Sequence, residues 1–126
     1  MAKFYHYNLE YCEIFVLQNV LIKQIKEGEV ITTGHISELQ NIIDKHFKDQ
    51  PVVYISNRTF SYSVDPMVYK EASKIKNLLG IGIIETAPNA IHNAQFEGKF
   101  YEKEFDVFSS FDEAMIWMKK IIDNSL

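Results

Sequence analysis

Asp49-Gln50-Pro51-Val52-Val53-Tyr54-Ile55-Ser56 decides the reading of this chain. A polar stop and a proline are followed at once by a short apolar run. Such a run, bounded by breakers, is the mark of a central strand buried on both faces. Upstream, Ile36, Leu39, Ile42, Ile43 and Phe47 recur at three- and four-residue steps. They predict a helix from about Thr33, a candidate N-cap, to Lys48. Before it, residues 10–17 and 20–26 read as two strands joined by a tight turn at Gln18-Asn19, since Asn tolerates positive φ. Glu27-Gly28-Glu29 breaks that pattern, and Val30-Ile31 leads into the helix.

Downstream, Asp65-Pro66 marks a second helix start, with Asp65 as cap and Pro66 in the first turn. Val68, Ala72, Ile75 and Leu79 form its buried stripe, and Gly80 is read as its stop. Ile81-Gly82-Ile83-Ile84 is a further buried strand, in which Gly82 predicts close approach of another backbone. Pro88 opens a third helix, roughly 88–101 by this reading, with Ile91, Ala94, Phe96 and Phe100 inward. Phe105-Asp106-Val107-Phe108 is the last strand. Ser110 and Glu113 then form a capping box ahead of a helix with Phe111, Ala114, Met115, Met118, Ile121 and Ile122 on its apolar face. The expected order is β-β-α-β-α-β-α-β-α. This is an α/β domain over 1–126, with a four- or five-stranded mixed sheet and helices packed on it. The aromatic Phe4-Tyr5-His6-Tyr7 segment is a candidate edge strand, or a pairing surface for a second copy.

Composition agrees with this class. In 126 residues, 47% are hydrophobic and 24% charged, so whole-chain disorder is excluded. No apolar run approaches the ~18 residues of a spanning helix, and the N-terminus lacks the apolar core of a signal peptide. A lone cysteine, Cys12, fits a reducing cytoplasm and is expected to be a buried structural thiol. The net charge of −4 argues against nucleic acid as a partner.

The order of elements and the wording of several segments resemble the SpoIIAA-like superfamily, which includes the STAS domains and small bacterial STAS/SEC14-like proteins. The resemblance covers nearly all of the chain from Tyr11. It rests on the opening hairpin, Val52–Ser56, the helix after Ser63-Val64-Asp65, and Ile81–Glu85 with its Thr86-Ala87-Pro88 exit. The segment 90–96 and the ending Phe108-Ser-Ser-Phe-Asp-Glu-Ala-Met-Ile-Trp117 complete it. The resemblance implies a regulatory or protein-interaction module. In the family's anti-sigma-factor antagonists a serine in an Asp-Ser-Ser-Gly pattern is phosphorylated. Here the region reads Phe60-Ser61-Tyr62-Ser63-Val64-Asp65, so Ser63 and Ser61 are the candidates, without the Asp or the Gly. The SEC14-like part implies a groove for an apolar ligand, with Phe96, Phe100 and Tyr101 as lining.

The residues themselves offer one further candidate site. Arg58, the only arginine against twelve lysines, follows the carboxyl end of a predicted central strand. Ligands of open α/β sheets bind at that edge. Its guanidinium can fork onto a carboxylate or phosphate, or pin its own loop through Asp65 or Glu85. Tyr62, His92 and Asn93 are expected near the same rim. No metal or other cofactor is expected: His35 and His46, if on one helix, lie about 16 Å apart, too far for one ion. Gly80-Ile81-Gly82 leads into a strand rather than a phosphate-cradling helix. No nucleophile, base and charge stabiliser converge, so a non-catalytic role is expected: regulation or protein binding, with homodimerisation allowed. The alternative is a carrier or sensor of a small, partly apolar acidic ligand, its head on Arg58 and its tail on Phe96 and Phe100.

Overall fold

The computed structural model describes residues 4–60 and 62–125. Strands β1 (Phe4–Asn8), β2 (Cys12–Leu17) and β3 (Val20–Ile25) form an antiparallel meander. The β2–β3 turn uses Asn19 at φ 64°, as its sequence predicts. A bridge strand β4 (Val30–Ile31) and a 3-10 turn over Thr33–His35 precede α1 (Ile36–Phe47). His35 Nδ1 accepts the Thr32 N–H at 3.0 Å, so the helix is entered one turn later than the Thr33 cap implies.

Next come β5 (Val52–Asn57), β6 (Ser63–Val64), α2 (Met67–Ala72), β7 (Leu78–Ile84), α3 (Pro88–Glu97), a 3-10 turn over Gly98–Phe100, β8 (Glu104–Phe108) and α4 (Phe111–Ser125). The main sheet runs β1-β2-β3-β5-β7-β8, with β3, β5, β7 and β8 parallel. It has six strands where four or five were expected, because the Phe4–Asn8 segment joins it as an edge. β4 and β6 form a separate parallel pair. Val30-Ile31 is thus a strand in its own right, a pairing that no local pattern announces.

Two apolar layers flank the sheet. Cys12, Ile14, Leu21, Val52, Leu78, Ile81 and Ile83 face α1, α2 and α3. Val20, Ile22, Val53, Ile55 and Ile84 face α4. Alternate residues of β3 and β5 serve opposite layers, as a strand covered on both faces requires.

The helix expected over residues 66–79 is shorter than predicted. Met67 N–H donates to Asp65 Oδ1 at 3.0 Å, the predicted cap, but the helix ends at Ala72. Ser73 Oγ folds back onto the Tyr69 carbonyl (2.9 Å), and turns follow. Asn77 Nδ2 pins the segment to the carbonyls of Lys48 and Gln50 at 2.9 and 2.8 Å. Leu79 and Gly80 therefore lie within β7, and Gly80 does not terminate a helix. The stripe of Ile75 with Leu79 fits a helical step, but Leu78 and Leu79 serve opposite layers across a register shift against β5.

Gly80 and Gly82 admit α4. A Cβ on Gly82 would lie 2.8 Å from the Trp117 ring and 2.9 Å from Ile55 Cδ1. The close neighbours are side chains rather than the backbone expected there. On α4, Ser110 caps the helix as predicted (Glu113 N–H to Ser110 Oγ 3.2 Å), but the Glu113 carboxylate accepts from the Ser110 and Ser109 hydroxyls at 3.1 and 2.9 Å, so only the serine half of the capping box forms, and Phe111 is exposed rather than on the buried face. On α3 only Ala94 is buried. Phe96 is exposed and Ile91 half-buried, contrary to the inward positions expected, so this helix rests lightly on the sheet; Phe100, on the 3-10 turn that replaces the helix beyond Glu97, is half-buried and packs against the core.

Candidate functional site

The rim lies where β5 and β7 end and α3 begins. The Arg58 N–H donates to the Ile84 carbonyl at 3.0 Å, so the loop leaving β5 stays tied to β7. This sets the guanidinium beneath α3. Nη1 donates to Glu97 Oε2 at 2.9 Å and Nη2 to Glu97 Oε1, a fork on one carboxylate. Nε donates to Tyr62 Oη at 3.0 Å, and Nη2 also reaches Tyr69 Oη at 3.3 Å. Tyr69 donates its own proton to Glu97 Oε1. Tyr62 Oη bonds Ser56 Oγ at 2.7 Å, and its ring lies under the guanidinium.

The pair is well covered, with Arg58 and Glu97 side chains 9% and 14% exposed. Burial alone would weaken the guanidinium's hold on its proton. The Glu97 hydrogen bond and the neighbouring phenols outweigh it and hold Arg58 above its ordinary range. Burial raises Tyr62, opposed by Arg58, and raises Tyr69 well above the usual phenol range with help from Glu97. Both phenols stay neutral donors at physiological pH. Outside this network lies a cleft of about 520 Å³ lined by Arg58, Tyr62, Ser63, Glu85, Asn93 and Glu97, among others.

The crystal structure of an uncharacterized DUF3478-family protein with a SpoIIAA-like fold, from Shewanella loihica PV-4, matches this architecture with a TM-score of 0.53. The match spans 93% of each chain at 12% sequence identity. The fold is SpoIIAA-like. No protein-family model and no curated protein sequence matches the chain.

The SpoIIAA-like sheet brings together part of what the sequence nominated. Arg58, Tyr62, Ser63 and Asn93 line the cleft. The internal partner of Arg58 is Glu97, not Asp65 or Glu85. Ser63 is exposed on β6, its N–H donating to the Glu29 carbonyl at 2.9 Å. Ser61 lies outside the described residues. His92 is exposed and is not among the cleft's lining. Phe96 and Phe100 pack edge to face at 5.5 Å, also away from the cleft lining, with Lys99 Nζ over the Phe96 ring. Tyr101 is buried and donates to the Leu78 carbonyl at 3.2 Å.

A second polar group lies deeper in the SpoIIAA-like core. Lys23 on β3 points into the α1 layer between Leu21 and Ile25 and is 3% exposed. Its Nζ donates to Tyr11 Oη at 2.9 Å, and Tyr11 donates to Glu38 on α1. Burial lowers the proton affinity of Lys23 and raises the pKa values of Tyr11 and Cys12. Lys23 lines a small, largely apolar cavity of about 40 Å³ among Ile25, Leu39, Val68 and Ala72. Sequence reading passed over Lys23, although its parity with Leu21 and Ile25 places it on an inward face. It passed over Glu97 too, because nothing local links Glu97 to a loop 39 residues earlier. Among the described residues no group of three or more His, Cys, Asp or Glu side chains is placed to hold a metal ion. No helix among them is long and apolar enough to cross a membrane.

Proposed function

We propose that the chain is a non-catalytic binding module of the STAS-like kind that self-associates through the free edge of β1. The observation that carries this reading is the strand itself. Phe4–Asn8 pairs with β2 on one side only, at the end of the sheet order. Natural edge strands are blunted by proline, lysine, bulges or covering loops. This strand reads Phe-Tyr-His-Tyr-Asn, with regular register to β2, and leaves Phe4 62% and Tyr5 53% exposed. Antiparallel pairing of two β1 edges about a two-fold axis would join two sheets and cover both aromatics. The saturated rim supports a binding role over turnover, since Arg58, Tyr62, Tyr69 and Glu97 bond one another.

Light scattering of the purified chain tests the reading. A concentration-dependent dimer is expected, lost in a Phe4→Lys/Tyr5→Lys variant that keeps its melting temperature. A wild-type chain that stays monomeric at every concentration overturns it.

A second reading is favoured by the Glu97 carboxylate. An arginine fork and a tyrosine hydroxyl converge on it, which is how a binding site takes an acidic ligand. In this reading Glu97 is a built-in stand-in for the head of a small, partly apolar acid, which displaces it. The Glu97→Ala variant titrated with butyrate should then gain melting temperature saturably, and the Arg58→Ala/Glu97→Ala variant should not. Equal responses in the two variants would sink this reading.

A further inference from the structure

We propose that Lys23 is a covalent capture site for a short aliphatic aldehyde, its amine forming an imine within the small apolar cavity behind β3. The inference goes beyond both readings above and depends on neither. It starts from a mismatch of charge and surroundings. An ammonium group removed from water needs a carboxylate beside it. Among the described residues the ion pairs are His6–Glu13, Arg58–Glu97 and Lys74–Glu71, and Lys23 is not in them. Its hydrogen-bond partner is the neutral Tyr11 hydroxyl at 2.9 Å. Burial shifts the balance toward the free amine, against the smaller attractions of Cys12 and of Glu38 beyond the phenol. A desolvated lysine in an apolar pocket is the form in which this side chain acts as a nucleophile toward carbonyl carbon.

The cavity sets the class of electrophile. Its volume is about 40 Å³. A single water needs roughly 10–15 Å³ on the same measure, so about three or four heavy atoms fit. The wall is largely apolar, Ile25, Leu39, Val68, Ala72 and Ile83 among it, with His35 and Ser56 also present, which suits an alkyl tail and not a second charge. An aldehyde of two or three carbons, three or four heavy atoms with its oxygen, meets both conditions.

The step balances without a redox partner. The Nζ lone pair forms the C–N bond as the carbonyl π pair moves to oxygen, which takes a proton. The nitrogen loses its first proton to give the carbinolamine. The hydroxyl then takes a further proton and leaves as water while the nitrogen lone pair forms the C=N bond, and loss of the second N–H proton gives the neutral imine. Amine and aldehyde thus give imine and water. The neutral imine suits surroundings in which the ammonium does not. Tyr11 supplies the proton path, since its oxygen accepts from Lys23 and its hydroxyl donates to Glu38, which is half-exposed and meets solvent.

The probe is propanal with cyanoborohydride at neutral pH, read by intact mass and peptide mapping. One propyl group per chain is expected first at Lys23, ahead of exposed lysines such as Lys119 and Lys120. Lys23→Met should lose this fast addition while keeping its circular dichroism. Tyr11→Phe retains both the amine and the ring and should slow the addition roughly a hundredfold. Octanal, too long for the cavity, should react at Lys23 far more slowly than propanal. Labelling of Lys23 no faster than that of Lys119 overturns the proposal. So does a Tyr11→Phe rate equal to wild type, or equal capture of octanal.

Discussion

Arg58 and Glu97 meet as a two-pronged ion pair that fastens the loop after β5 to the last turn of α3. Both side chains are largely buried, and Tyr62 and Tyr69 complete their hydrogen bonding. Since Ala94 is the buried residue of α3, this pair is the main polar tether of that helix.

Arg58→Ala should therefore destabilise the fold rather than leave its melting temperature intact. Removing one partner of a buried pair strands the other charge, at a cost of about 3–5 kcal/mol. Urea unfolding should show that loss for Arg58→Ala and for Glu97→Ala. The double variant should lose clearly less than the sum. Single-variant losses within 1 kcal/mol of wild type would mean the pair behaves as an exposed one.

Gly82→Ala should cost about 1–3 kcal/mol by overpacking. The new methyl would sit 2.8 Å from the Trp117 ring and 2.9 Å from Ile55 Cδ1. Gly80→Ala meets side-chain ends of α4 at 3.1 and 3.2 Å and the Glu104 carbonyl at 3.4 Å, looser contacts than at Gly82, and should cost less. Chemical denaturation followed by Trp117 fluorescence compares the two, and a reversed order would count against this packing.

Lys23 should make stability rise with pH. Its amine binds protons less tightly when folded than when unfolded. Below the ordinary lysine pKa of about 10.4 the unfolded chain is protonated there. The penalty thus grows as pH falls from that value to the lowered folded one, and is constant below it. Relative to Lys23→Met, wild type should gain stability as pH rises through this window. The comparison is best read below pH ~10, before phenols ionise. Parallel stability curves for the two proteins would contradict a lowered proton affinity at Lys23.

Five phenols, those of Tyr11, Tyr54, Tyr62, Tyr69 and Tyr101, are pushed upward by burial. Their contribution is complete below the unfolded value of about 10 and is lost as pH rises toward the folded values. In an alkaline titration their phenolate absorbance should appear in one step, together with loss of helical circular dichroism. Gradual ionisation of these five ahead of unfolding would show them in contact with water.

Val52–Ser56, Ile81–Ile84 and the capped α4 were legible because run length, proline and capping chemistry act locally. The end of α2 was not, since residues 75 and 79 satisfy a helical step and a strand equally until Asn77 binds the end of α1. Arg58 was legible as the lone guanidinium at a strand end. Its partner was not, because the pairing with Glu97 depends on how α3 crosses the sheet. The β4–β6 pair, two residues a side, carries too little pattern to be seen before folding.

That small pair has a mechanical meaning. The amides of Ser63 and Asp65 hang from the carbonyls of Glu29 and Ile31, both at 2.9 Å. The segment that carries Ser63 into the cleft is thereby yoked to the approach of α1. Displacing one strap would unhook both, and with them the stretch that leads through Thr32 and His35 into α1.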